Sequence, residues 1–167
     1  MLFNRATTPL NHFIFSNGIF EIWKDEISNH HSLFSVVDFQ PGDIVCEFGA
    51  AAILPAPSPL TVQVGFNEHI YLQPGVLQYI NHSCSPNIFF DLATFKAMCL
   101  RPINKGDELF YFYPSTEWEM AEPFQCLCGS ANCLGRIAGA SYLSKDVIPN
   151  YRFSDFISEQ LNNKHSK

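Results

Sequence analysis

The chain has 167 residues, which suits one domain and leaves little room for a second. Nearly half of the residues are apolar, 16 are Phe, and only 16% are charged, a composition that excludes a disordered chain. The net charge of −6 argues against nucleic-acid binding, which needs clustered Lys and Arg to neutralise phosphates, and suits a cationic partner.

Met1 to Phe20 carries no charged segment followed by a long apolar run, and no apolar stretch reaches the roughly 18 residues of a membrane span. The run from Gly49 to Leu54 is stopped by Pro55, Pro57 and Pro59. The expectation is a nuclear or cytoplasmic chain without signal peptide or transmembrane segment, whose six cysteines are thiols or metal ligands rather than disulfides.

In chain order, residues 10–73 read as short strands. Phe13-Ile14-Phe15, the turn signal Ser16-Asn17-Gly18, and Ile19 to Trp23 predict a hairpin. Leu33 to Phe39 is a strand ended by Pro41-Gly42-Asp43, and Ile44 to Phe48 is the next. The Ala/Pro-rich stretch 49–60 predicts a loop, because Pro removes donors and fixes φ. Ile88 to Leu92 and Phe95 to Leu100 pair around Ala93-Thr94. Pro102 and Lys105-Gly106-Asp107 break the pattern before the apolar run Leu109 to Tyr113. A cysteine-bearing loop and a tail follow, with Ser154 capping a short helix, Asp155 to Leu161. Many short strands and few helical periods predict a mostly β domain.

The densest signal lies in the cysteines. Cys126, Cys128 and Cys133 fall within eight residues, with Gly129, Ser130 and Asn132 between them. Zinc takes four ligands in a tetrahedron and favours thiolate sulfur, so three local thiolates leave one corner for a distant Cys. Cys46 and Cys99 sit in apolar runs, where an inert buried thiol is the default. Cys84 sits in the polar segment Asn81-His82-Ser83-Cys84. His82 and Cys84 also permit a nucleophile–base pair, although nothing marks a third orienting group. The remaining histidines, His30 and His31 included, read as surface or capping residues.

Three segments resemble the SET-domain protein-lysine methyltransferases. Gln78-Tyr79-Ile80-Asn81-His82-Ser83-Cys84-Ser85-Pro86-Asn87 is similar to the family's Arg-Phe-x-Asn-His-Ser-Cys-x-Pro-Asn signature. Gly106-Asp107-Glu108-Leu109-Phe110-Tyr111-Phe112-Tyr113 resembles its Gly-Glu-Glu-Leu-Thr-x-Asp-Tyr segment. Cys126-x-Cys128-Gly129-x3-Cys133-x-Gly135 resembles its post-SET zinc loop. The three occur in the family's order. Phe34 to Phe48 is more loosely similar to the family's first strands.

The resemblance implies a mostly β fold of several small curved sheets, with a threaded pseudo-knot and a C-terminal zinc loop. The SET domain would span 10–115, the post-SET loop 116–140, and a tail with a short helix 141–167. It implies methyl transfer from S-adenosylmethionine to a lysine amine, with Tyr113 and Tyr111 catalytic and Tyr111 limiting the number of methyl groups. Ser32, Leu33, Phe34, Tyr79, Asn81, His82, Tyr113, Phe124 and Leu127 would hold the cofactor. Cys84, Cys126, Cys128 and Cys133 would hold a structural Zn²⁺. The implied partner is a basic lysine-containing protein or peptide, histones among the candidates, with no nucleic acid and no membrane. Phe48, Tyr79, Tyr111, Phe112 and Trp118 are available to wall an acceptor channel.

The chain departs from the family in three places. The family's Gly-x-Gly falls at His31-Ser32-Leu33, its Tyr-x-Gly-Glu at Phe48-Gly49-Ala50-Ala51, and its common Asp at Phe112. Those departures keep a second reading in view, a zinc-stabilised SET fold of weak catalysis that serves as a binding or scaffold module.

Overall fold

The computed structural model describes residues 11–166. Residues 1–10 and 167 lie outside the described residues, and with them the first half of the segment read for a secretory leader, the expected domain start at Leu10 and the last residue of the tail.

Short strands build four small sheets. β1 (Asn11–Ser16), β2 (Phe20–Asp25) and β3 (His31–Ser35) form an antiparallel meander. The expected hairpin is made by Asn17, whose Oδ1 accepts from Ile19 N at 3.1 Å and Phe20 N at 2.8 Å, and by Gly18 at φ +84°. β3 stops at Ser35, short of the expected Phe39. The Ser35 hydroxyl donates to Val37 O at 2.6 Å and bends the chain, and Phe39 makes only an isolated bridge to Ile103.

β4 (Ile44–Glu47) belongs to the next sheet, while β5 (Gly49–Leu54), β6 (Thr61–Gly65) and β7 (Glu68–Gln73) make a third, in the order β5-β7-β6. The loop expected over 49–60 is thus half strand. Ala has little intrinsic β preference, but the ladder to β7 supplies the pairing, and the prolines act only beyond Leu54.

β8 (Asn81–His82), β9 (Ile88–Asp91), β10 (Lys96–Cys99) and β11 (Phe110–Tyr111) complete the central sheet, ordered β4-β10-β9-β11-β8. The β9–β10 hairpin was legible from sequence, and Asp91 closes it by accepting from Ala93 N at 3.1 Å. β11 lies between β9 and β8, so the segment joining those two strands crosses over it. Asn87 fastens the crossing: its Nδ2 donates to Glu108 O at 2.9 Å, and its Oδ1 accepts from Phe110 N at 2.7 Å. This crossing matches the threading that the family resemblance implied. Phe20, Leu33, Ile70, Leu77, Phe90 and Leu109 are among the side chains of the main core where the three larger sheets meet.

β12 (Phe124–Gln125) and β13 (Arg136–Ile137) form a two-stranded ribbon around the cysteine loop. The tail ends in α1 (Asp155–His165), one turn longer than expected. Ser154 Oγ caps it by accepting from Ile157 N at 3.4 Å, and Ile157 and Leu161, four apart on one face, are buried with Ala140. Among the described residues no helix is long and apolar enough to cross a membrane.

Candidate active site

A cavity of ≈ 670 Å³ opens where β3, β8, β11 and the cysteine loop converge. Its walls include Ser32, Tyr79, Asn81, His82, Glu108, Tyr111, Tyr113, Phe124 and Leu127. The parallel pairing of β8 with β11, Asn81 opposite Phe110 and His82 opposite Tyr111, is what brings the two central motifs to one place.

Asn81 is the clasp between sheets. Its Nδ2 donates to His31 O at 2.9 Å, Ser32 Oγ at 3.0 Å and Glu108 Oε1 at 3.1 Å. Burial pushes the Glu108 carboxyl up, against the pull of hydrogen bonds from Ser32 and Asn81. Its Oε2 is buried with no hydrogen-bond partner among the described residues, although Glu108 lines the cavity. A buried orphan of this kind fits a ligand that brings a hydrogen-bond donor.

His82 is held neutral, because burial depresses its pKa to about 4. Its Nδ1 accepts from Tyr113 N at 3.2 Å, so the ring proton sits on Nε2 and points at Cys84 Sγ, 3.4 Å away. That tautomer removes the nucleophile–base reading, since the nitrogen facing the sulfur already carries its proton. The Cys84 thiol, moreover, is fully buried and pushed well up by burial.

Tyr111 and Tyr113 pack with ring centroids 4.6 Å apart, and Phe124 closes over Tyr113 at 6.0 Å. Burial raises both phenols, so both are neutral hydrogen-bonding groups at physiological pH. The Tyr113 hydroxyl donates to Ile80 O at 3.4 Å.

The sulfur atoms of Cys84, Cys126, Cys128 and Cys133 all lie within 4.8 Å of one another, with Cys84 and Cys126 4.0 Å apart. A tetrahedron of zinc–sulfur bonds of about 2.3 Å has edges near 3.8 Å, so the donor set and its spacing fit zinc. Cys46 and Cys99 stand elsewhere, in β4 and β10. Gly129, at φ +72°, turns the backbone between Cys128 and Cys133. Against the penalty of burial, hydrogen bonds from Ser130 and the backbone draw the Cys128 thiol down to about 6. The tail braces this cluster. Tyr151 hydroxyl donates to Cys84 O at 2.9 Å, Asn132 Nδ2 donates to the same carbonyl at 2.7 Å, and Phe112 stacks on Tyr151 at 3.7 Å.

Several expected positions fall elsewhere. Leu33 and Phe34 are buried at 0% and 2% exposure and are not among the residues lining the cavity. Of the aromatic residues available for a channel, Tyr79 and Tyr111 line it. Phe48 packs on Phe90 and Phe95, Phe112 on Tyr151, and Trp118 against the tail helix cluster. His30 is exposed, as its surface reading expects, and it and the half-buried His31 line the cavity, with the His31 ring 5.0 Å from that of Tyr79. His69, also read so, is buried in β7. Sequence reasoning missed Glu117, which lines the cavity behind the tyrosines, and the loop Ser58 to Thr61 that forms one rim. Glu117 belongs to no motif. Its one signal was a carboxylate four residues after Tyr113, within a helical turn's reach.

A fold of small sheets threaded around an Asn-His strand, with a four-cysteine cluster beside the cavity, defines a SET domain. The family model described as SET domain matches residues 30–114, and the chain belongs to that family. It is 39% identical over 132 residues to "Methyltransferase flvH" of Aspergillus flavus, covering 78% of this chain and 74% of that protein. It is 37% identical over 68 residues to "Histone-lysine N-methyltransferase, H3 lysine-4 specific" of Emericella nidulans, covering 36% of this chain but 6% of that protein. A 76-residue match at 37% identity to "Histone-lysine N-methyltransferase 2D" of Homo sapiens covers 40% of this chain and 1% of that one. The chain is thus a SET-domain methyltransferase that spans most of one relative and a small part of the histone enzymes it matches.

Proposed function

We propose that this chain transfers a methyl group from S-adenosylmethionine to the side-chain amine of a lysine in a basic protein, histones being the first class to test. The observation that carries the reading is one cavity bounded by Asn81, His82, Tyr111, Tyr113 and Glu108, polar at its clasp and aromatic at its mouth. Histone-lysine methyltransferases among the relatives support the acceptor.

S-adenosylmethionine, when bound, supplies a methyl on a sulfonium, ready for in-line displacement. The chain's residues bind and align. Ser32, Asn81 and the unpaired Glu108 oxygen offer acceptors to the cofactor's ammonium and hydroxyl groups, and Tyr79, Phe124 and Leu127 offer apolar surface to its base. The backbone next to Ser32 takes the place of the family's glycines, while Leu33 and Phe34 hold that strand in the core. The neutral phenol of Tyr113 orients the attacking amine and stabilises charge near the sulfonium. Tyr111 crowds the amine, so transfer ends at one or two methyl groups. Much of the rate gain is alignment of two reactants in a water-poor site. The 116–140 segment acts as a zinc loop whose four thiolates, Cys84, Cys126, Cys128 and Cys133, hold Phe124 and Leu127 at the cavity. The expected range of SET domain, 10–115, and tail, 141–167, follows the same division.

The scaffold alternative keeps the fold and loses turnover. Incubation with tritiated S-adenosylmethionine and core histones, followed by mass spectrometry of labelled peptides, separates the two. Methyl-lysine in wild type, formed tenfold or more slowly by Tyr113→Phe, is the expected result. Normal cofactor binding without transfer to histones or other basic proteins would sink the catalytic reading.

A further inference from the structure

The geometry points to Glu117 as the group that receives the acceptor's ammonium and takes its proton, an assignment that rests on the methyl-transfer reading above. Lysine amines carry a proton at neutral pH and must lose it before attack. A group within the cavity that can accept it is therefore part of the chemical problem.

Glu117 follows the short turn Tyr113–Ser115, and its backbone N donates to Tyr113 O at 3.1 Å. Two strong contacts fix it against β6. Its Oε1 accepts from Gln63 N at 3.0 Å, and Gln63 Oε1 in return accepts from Trp118 N at 3.0 Å. The Thr116 hydroxyl meets the same Oε1 at 3.5 Å. Both side-chain bonds fall on Oε1, and Oε2 accepts none among the described residues. Glu117 is only 5% exposed, yet it lines the cavity together with Tyr111, Tyr113, Leu60 and Thr61. Among the described residues no Lys or Arg lines that cavity. A buried carboxylate that lines a cavity beside two tyrosines and has one oxygen without a hydrogen bond among the described residues suits a primary ammonium entering on an apolar stem.

Burial raises the Glu117 carboxyl to about 8, against hydrogen bonds from Gln63 and Thr116. The groups beside it are the phenols of Tyr111 and Tyr113, both neutral, the Thr116 hydroxyl and Gln63; Glu108, Glu122 and neutral His82 line the same cavity, the His82 ring 5.2 Å from that of Tyr113. An arriving cation draws the carboxyl down again and ionises it. The ammonium then gives one proton to Oε2. The amine lone pair forms the nitrogen–carbon bond as the sulfur–carbon bond breaks, its electron pair going to sulfur. The methylammonium product leaves with Glu117 protonated again, as in the resting site, so the proton expelled when the ammonium arrived is the one proton that the overall reaction releases.

Glu117→Gln keeps the acceptor for Gln63 N and removes the charge. Saturation-transfer NMR titrations at pH 8.5 would compare n-butylammonium with neutral n-pentanol in the zinc-loaded full chain saturated with S-adenosylhomocysteine. Butylammonium should bind Glu117→Gln at least tenfold more weakly than wild type, pentanol within twofold, and S-adenosylhomocysteine within twofold. Glu117→Asp should retain the preference for the cation in part, which a merely structural tie would not. Equal butylammonium affinity in wild type and Glu117→Gln overturns the assignment, as does a transfer rate to core histones that Glu117→Gln leaves unchanged from pH 6 to 9. Butylammonium discrimination without any methyl transfer would overturn the reaction reading and retain the ammonium site.

Discussion

Removing zinc is expected to release the cysteine loop while leaving the β core folded. Between Met120 and Ile137 only Cys126 and Ile137 are buried, so the loop has almost no apolar core of its own. Burial of Ile137 contributes about 1.5–3 kcal/mol. Ordering the eight residues from Cys126 to Cys133 costs about 8–16 kcal/mol at roughly 1–2 kcal/mol per residue. Structural zinc supplies about 10–16 kcal/mol in small peptides near pH 7, which offsets that cost and little more. Purified protein should therefore contain one zinc per chain by elemental analysis. After chelation, hydrogen exchange over 124–137 should approach unprotected rates, while β2, β9 and β10 keep their protection. Because Phe124, Cys126 and Leu127 line the cavity, affinity for S-adenosylhomocysteine should fall at least tenfold by calorimetry. Protein free of zinc with an ordered loop, or a loop whose protection survives chelation, would refute the reasoning.

Tyr113→Phe removes one hydroxyl and a single 3.4 Å bond to Ile80 O, so melting temperature and cofactor affinity should hold while kcat drops tenfold or more in a radiolabel assay. Gly139 sits at φ +118°, and a Cβ there would meet Trp118 O and lie 2.9 Å from Glu119 Cα, both backbone; Gly139→Ala should cost more than about 2 kcal/mol in urea unfolding, and a silent variant would deny the close packing. Ser154→Ala deletes the cap of α1 and should cost about 1 kcal/mol, read as a drop of a few degrees in melting temperature. The Glu117 carboxyl is raised from 4.5 to about 8, so the folded chain holds a proton that the unfolded chain loses; its stabilising contribution is complete below pH 4.5 and lost as pH rises through 8. Wild type should consequently lose stability more steeply than Glu117→Gln between pH 5 and 8, by a few kcal/mol at most, and parallel profiles would contradict the shift.

The parts of the site that sequence made legible are those whose chemistry is local. Cys126, Cys128 and Cys133 lie in one turn, so their shared purpose shows in spacing alone. The turn at Asn17-Gly18 and the one closed by Asp91 likewise depend on side chains bonding backbone two or three residues on. What was illegible depends on partners far along the chain. β5 forms because β7 pairs with it, which no property of Gly49 to Leu54 announces. Glu117 is placed by Gln63, 54 residues earlier, and Phe112 finds its partner in Tyr151, well beyond the motifs. In β3 Ser32 to Ser35 are all buried, so the side chain of Leu33 lies in the core.

The cavity walls come from segments of unequal cohesion. Asn81, His82, Tyr111 and Tyr113 belong to the threaded centre, where Asn87 and the β8–β11 pairing fix the backbone. Phe124 and Leu127 belong to the segment that carries Cys126 and Cys128, and Pro59 and Leu60 to the loop before β6. The first set can hold a reaction geometry without a ligand, because its bonds are internal to the core. The second set cannot, because little apolar burial fixes it. The centre is therefore the better fixed part of the cavity wall, and the cysteine loop and the rim the less fixed. The tail unites the two: Tyr151 reaches Cys84 O at the cluster with its hydroxyl and Phe112 at the centre with its ring, so a displacement of either is felt by the other. That coupling gives a physical reason for an aromatic residue at 112, since an acidic side chain there would leave the Tyr151 ring without its stacking partner and the cysteine loop without its brace.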